Sequence, residues 1–284
     1  MSLFRLLTVL ALAVGGTVAA GSASPAGAAI PGAELVWSAP TTSNSNTTRS
    51  IAAVCPRGKQ SLGAFAYIAG NHRDVVITAL IPTTSAAIAV AREDQDGTPD
   101  NWQVVVQLIC ADPVPGLEIV STTSASTSSN KQVTATCPAG KRLLTTGWSL
   151  GDSDGEVFLN AVSQAADLSG VSITGMEDQD GHAGPWRLTT YAVCANPLPG
   201  LEMLSGYSVV DSADKNVLLV CGPGRQRLSI GWSLVGSGGG TPAGQVLAGL
   251  GSAGTGWFEV AAHEDDDGYA GNWYLVGRIV CVAL

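Results

Sequence analysis

Long hydrophobic runs are nearly absent from this 284-residue chain. Residues 6–20 form the one clear example, and it falls short of the ~20 apolar residues that cross a bilayer. No second run follows, so a bundle of membrane-spanning helices is excluded and membrane insertion is not expected. A basic start ending at Arg5 and the small-x-small stretch Ala26-Gly27-Ala28 give the run another meaning. Residues 1–28 read as a secretory signal peptide, and the mature chain is expected to be secreted and extracellular.

Positive charge is scarce too. Lys and Arg number 14 against 23 Asp and Glu, a formal net charge of −9 that grows more negative when Arg5 leaves with the signal. Such a surface repels phosphate backbones and anionic lipid, which excludes nucleic acid as the main partner. Arg outnumbers Lys ten to four, and Ala, Gly and Val are abundant, a composition suited to a high-GC bacterial genome. The six Cys include no CxxC pair and the His are scattered, which excludes clustered zinc sites. No stretch of the mature chain combines a helical apolar period with caps.

What is present occurs three times. Cys55-Pro-Arg-Gly-Lys59, an acidic turn at 93–97, Trp102 and Cys110 recur as Cys137 to Lys141, 177–181, Trp186 and Cys194. They recur again as Cys221 to Arg225, 264–268, Trp273 and Cys281. A period of about 84 residues predicts three homologous units, 29–114, 115–198 and 199–284. With two Cys at matching places in each unit, repeat symmetry pairs Cys55 with Cys110, Cys137 with Cys194 and Cys221 with Cys281. Closing loops of this length contributes about 4 kcal/mol per bridge in the chain-entropy model.

Inside a unit the period is two. Trp102, Val104, Val106, Leu108 and Cys110 fall on one face of a strand, as do Trp186, Leu188, Thr190, Ala192 and Cys194. CPxGK and the Asp-Gly of EDxDG supply turn chemistry between strands. In the last unit six strands can be marked, near 200–210, 216–221, 227–235, 245–250, 257–264 and 273–281. The expected fold is all-β: three homologous disulfide-stapled antiparallel β-repeats, linked by short Pro-Gly segments such as 112–118 and 196–202. They pack either as a pseudo-threefold prism-like assembly or as three small tandem β-sandwiches.

The order CPxGK, EDxDG, Trp and Cys-Ala resembles tandem repeats of secreted actinobacterial proteins, over nearly all of the mature chain from Glu34 to Cys281. The resemblance implies export and a β-repeat fold, and carries no activity with it. At fold level only, the chain is also similar to the threefold β-prism of vitelline membrane outer layer protein and jacalin-type lectins. No matching motif accompanies that likeness, so it transfers no sugar site.

The acidic turns are the sharpest candidates for a site: Asp94 and Asp96, Asp178 and Asp180, Asp265 and Asp267. A D-x-D-G turn gathers carboxylates as a calcium loop does, although the EF-hand spacing and its terminal Glu are absent. Calcium is the one cofactor suggested. The competing reading is a turn whose Asp side chains cap its own backbone. Trp102, Trp186 and Trp273 share a strand face with the second Cys, which favours burial over sugar stacking, while Trp148 and Trp232 are matched by Phe65. Trp37 and Trp257 have no counterparts, and unrepeated aromatics are the better candidates for an exposed ligand surface, Trp257 among the ligand-binding residues.

Residues 147–151 match the G-x-S-x-G pattern of hydrolases, but in a strand that recurs without Ser as 63–67, so no nucleophile elbow is expected. His72, His182 and His263 occupy different places in their units and supply no common base. Carboxylates on one hairpin tip do not face each other across a cleft, as glycosidase chemistry requires. The chain is therefore expected to be a secreted non-catalytic binding module for extracellular or cell-wall carbohydrate. The alternatives are a structural or protein-interaction component of the cell surface, and a secreted hydrolase. The partner is an extracellular polysaccharide or a surface protein, and repetition would add avidity.

Overall fold

The computed structural model describes residues 30–283 apart from 45–46, 71–73, 179–180, 239–240, 243–245, 255 and 265–267, with the backbone alone at 250–253. The signal-peptide reading of 1–28 lies outside the described residues. Among the described residues there is no helix, hence none long and apolar enough to cross a membrane. The first unit holds β1 (Glu34–Trp37), β2 (Thr48–Val54), β3 (Gln60–Gly70), β4 (Val75–Pro82), β5 (Ala86–Glu93) and β6 (Trp102–Ala111). The second holds β7 (Glu118–Thr123), β8 (Lys131–Thr136), β9 (Arg142–Gly151), β10 (Val157–Gln164), β11 (Gly170–Glu177) and β12 (Arg187–Ala195). The third holds β13 (Glu202–Tyr207), β14 (Lys215–Val220), β15 (Arg225–Gly236), β16 (Val246–Ala253), β17 (Trp257–Glu264) and β18 (Trp273–Ala283), each overlapping a strand expected from the sequence. Gly97, Gly181 and Gly268 close the acidic turns at φ of 63°, 76° and 71°, a backbone region where a side chain is strained.

These strands form four antiparallel sheets, ordered β1-β6-β3, β2-β5-β4-β9-β12-β7, β13-β18-β15-β10-β11-β8 and β14-β17-β16. The two larger sheets cross unit boundaries. The first unit's β4 joins the second unit's β9 at Ala79↔Ser149 and Leu80↔Trp148. The second unit's β10 joins the third unit's β15 at Ala161↔Ser233 and Val162↔Trp232. Three independent sandwiches are therefore not what the chain builds, because these ladders hold halves of neighbouring units together.

All three expected disulfides form, with Cα–Cα distances of 5.6, 5.7 and 5.7 Å. Cys55 follows β2 and Cys110 lies in β6, strands of different sheets, and the other two pairs repeat that placement. Each bridge thus staples one sheet to another over the core. Three such bridges suit an oxidising compartment. The core they cross is dense and apolar, with Trp102, Trp186, Trp273 and the second Cys of every unit fully buried.

Strand register corrects two matches drawn from the sequence, for the counterpart of 147–151 is 65–69 and not 63–67, and the counterpart of the two Trp changes as well. Trp148 opposes Thr190 and Trp232 opposes Gly277, each four residues before the second Cys, and Ala66 opposes Val106 at that same place. Ala66, not Phe65, is the counterpart of the two Trp, and Phe65 stands where Gly147 and Gly231 stand. A one-residue slip moves a side chain to the opposite face of a strand, so the difference decides what meets the neighbouring unit. A Cβ on Gly147 would lie 2.3 Å from the Leu80 carbonyl oxygen, and one on Gly231 would lie 2.3 Å from that of Val162. Only Gly permits these approaches. With Phe65 at the equivalent place, β3 and β16 form no ladder and their two sheets remain separate.

Candidate functional site

The acidic turns begin with a buried stack. Each indole Nε1 donates to the Glu that opens its turn: Trp102 to Glu93 at 2.7 Å, Trp186 to Glu177 at 2.7 Å and Trp273 to Glu264 at 2.9 Å. A cation covers each ring, Arg49, Lys131 and Lys215 at 4.3, 3.8 and 4.3 Å from the respective centroids. Lys131 Nζ in turn donates to the carbonyls of Thr127 and Ser129 at 2.8 and 2.7 Å, pinning the loop before its strand. Arg49 does so to Thr42 and Asn44, and Lys215 to Asp211 and Ala213. Burial lowers the pKa of Arg49 and of Lys131, with Glu93 and Glu177 opposing the shift. These Trp are structural frame, as their strand face suggested. Sequence reasoning missed the three cations, although each stands six residues before the first Cys of its unit.

The carboxylates beyond that Glu turn inward. Asp94 Oδ1 accepts from the backbone N–H of Asp96 at 3.2 Å and of Gly97 at 3.1 Å, and Asp178 Oδ1 accepts from Gly181 at 2.8 Å. Both Asp cap their own turns. Asp96 is exposed, while Asp180, Asp265 and Asp267 lie outside the described residues. Two of the turns converge on Glu156, which precedes β10. Its buried carboxyl hydrogen-bonds Asp178, accepts from the Gln95 backbone and lies in the field of Asp94. The approach is close, for a Cβ on Gly155 would sit 2.3 Å from the Glu93 carbonyl oxygen. Burial first, then Asp178 and Asp94, push the Glu156 carboxyl up to about 7. Burial likewise pushes Asp94 up to about 7, with Asp74 and Asp96 adding and the Gly97 hydrogen bond opposing. Among the described residues, no group of three or more His, Cys, Asp or Glu is arranged to hold a metal ion.

The open joint between β3 and β16 is plugged at one end by Arg227. Its side chain is fully buried, with the guanidinium 4.7 Å from the Phe65 ring centroid and 4.2 Å from that of Phe258. It donates to the Gly254 carbonyl and to Gln107 Oε1, both neutral. Burial pulls its pKa down to about 9. Beyond this plug lies a cavity of about 190 Å³. His263 lines it, whereas His182 sits in the turn beside Gly184 and His72 is outside the described residues. Ser149 of the G-x-S-x-G match is a strand residue opposite Ala79 and Thr189, so no nucleophile elbow exists there.

Trp257 stands on the outer face of the sheet β14-β17-β16. β14 alternates buried Val217 and Leu219 with exposed Leu218 and Val220. Val220 opposes Trp257, which is 36% exposed, and Leu218 opposes Glu259. Asn216 Nδ2 donates to Glu259 Oε1 at 2.8 Å beside them. The corresponding facing pairs are Val54 with Ala86 in the first unit and Thr136 with Gly170 in the second, so the aromatic belongs to the third unit alone. No model of a known protein family matches the chain, and a search of curated proteins finds no match.

Proposed function

We propose that this protein is a secreted, non-catalytic binding module for extracellular or cell-wall carbohydrate, built from three repeats packed about a common pseudo-threefold axis. Equivalent joints at β4–β9 and β10–β15 support that packing, as does the cluster of equivalent residues Val76, Phe158 and Leu247. The resemblance to repeats of secreted actinobacterial proteins agrees with export. One observation carries the ligand class: Trp257 offers a half-exposed ring on an otherwise aliphatic face, with the Asn216–Glu259 pair beside it. A sugar needs a ring for its C–H face and polar groups for its hydroxyls. The carboxyls of Glu156 and Asp178 touch each other, leaving no room for a glycosidic bond between them, which favours binding over hydrolysis.

Isothermal titration with cell-wall polysaccharide fragments tests this reading. Trp257→Ala should weaken binding about tenfold while leaving the melting temperature within a degree or two, because the ring sits at the surface. Equal affinity in the two proteins would remove Trp257 from the site, and no binding by the parent protein would remove carbohydrate. Titrations in calcium and in chelator separate a metal-dependent mode from a metal-free one. Capture of an envelope protein through the same face would move the assignment to a surface interaction component.

A further inference from the structure

We propose that the open joint between β3 and β16 is a second ligand site, on the same sheet face as Trp257 but without Trp257 in its lining, that takes a small neutral aromatic molecule. The cavity there measures about 190 Å³. An apolar cavity of roughly 150 Å³ holds benzene and stays dry when empty, so this one suits a ligand of one or two fused rings.

The lining selects for that chemistry. Among the described residues, no Lys, Arg, Asp or Glu lines the cavity. Trp148 and Trp232 form its aromatic wall, packed edge to face with centroids 5.9 Å apart. Both indole N–H groups are spent on the neighbouring unit, Trp148 on the Ile77 carbonyl and Trp232 on that of Leu159. What they offer a ligand is carbon surface. A charged ligand entering here would lose its hydration and meet no opposite charge among the described lining residues, and a sugar would find few partners for its hydroxyls.

Three sequence differences open this joint and no other. Phe65 replaces the close-contact Gly147 and Gly231, and Ala66 replaces Trp148 and Trp232 with their bridging N–H groups. Gly249 replaces Thr78 and Asn160, the latter reaching across its joint to the Leu234 carbonyl. Register puts Leu247 opposite His263 and Gly249 opposite Ala261, so these four residues share one face of β16 and β17 and floor the cavity, with the small pair Gly249 and Ala261 leaving room. Access is from solvent, because Tyr67, Ala248, Gly249 and His263 are only half-buried whereas Trp148 and Trp232 are buried. Apart from the two indoles, Tyr67, Thr146, Ser229 and His263 are the lining side chains that carry polar atoms, enough to meet a single hydroxyl on the ligand. Exposed Trp37 packs edge-on against Tyr67 at 6.3 Å and extends the rim.

The probe is 2-naphthol, titrated calorimetrically into the full chain and followed by NMR. Saturable one-to-one binding is expected, with nuclear Overhauser contacts from naphthol protons to the indoles of Trp148 and Trp232. A Cβ at Gly249 meets nothing within 4 Å, so Gly249→Leu should fold, fill the cavity and weaken binding by about tenfold or more. Trp257→Ala should leave naphthol affinity unchanged, which keeps failure here separate from failure of the carbohydrate reading. Absence of saturable binding overturns the proposal, as do contacts to other residues or unchanged affinity in a folded Gly249→Leu. Should that variant not fold, the contacts observed in the parent protein decide alone.

Discussion

Glu156 shows how one buried carboxyl ties two repeats together. Its pKa and that of Asp94 are raised to about 7 from ordinary carboxylate values. Between about pH 4.5 and 7 the native state therefore holds protons that the unfolded chain has released. Stability contributed by these groups is present below that window and is lost as pH rises through it. Melting temperatures measured near pH 5 and pH 8 should fall with rising pH, and Glu156→Gln should raise the value near pH 8 and flatten the slope, leaving Asp94 to supply the remainder. An unchanged slope would show that Glu156 does not titrate in this window. None of this was legible in the sequence. Glu156 carries no repeated signature, with Asp74 and Gln245 at the matching places, and its pKa follows from contact with a turn sixty residues away. The capping role of Asp94 and Asp178 was legible, because a D-x-D-G turn bonds its own backbone.

Among the elements, β9 and β15 show how a missing side chain makes a sheet. Their Gly147 and Gly231 let the adjoining strand's carbonyl come within 2.3 Å of where a Cβ would stand. Gly147→Ala forces β4 and β9 apart and should cost about 1–3 kcal/mol in chemical denaturation. Faster amide hydrogen exchange at Leu80 and Trp148 should accompany the loss, marking the joint as the place that opened. Exchange confined to other strands would contradict this account. The strands themselves were readable from period-two patterning and turn residues, since both are local. The place of Phe65 was readable too, since it stands ten residues after Cys55 where Trp148 and Trp232 stand eleven after Cys137 and Cys221. The unpaired edges of β3 and β16 were not, because they depend on a contact between units.

For the whole molecule, shared sheets make the repeats interdependent. Residues 115–198 carry their own disulfide and six strands, yet β9 and β10 both depend on neighbours for their outer partners. Expressed alone with the disulfide intact, this unit should expose Trp148 and the joint edges, and should show neither a cooperative melt nor a dispersed amide spectrum. A cooperative melt would mean that the unit's own core suffices. The sequence by itself determined the all-β class, the three disulfides and the burial of Trp102, Trp186 and Trp273, because repetition and strand alternation act within one unit. Tertiary structure alone decided which joints close, where the acidic turns meet and where the aromatic-walled cavity lies. The physical reason is that each rests on a steric or electrostatic contact between different units, Gly147 with Leu80, Glu156 with Asp94 and Arg227 with Phe65, and no local pattern records such contacts.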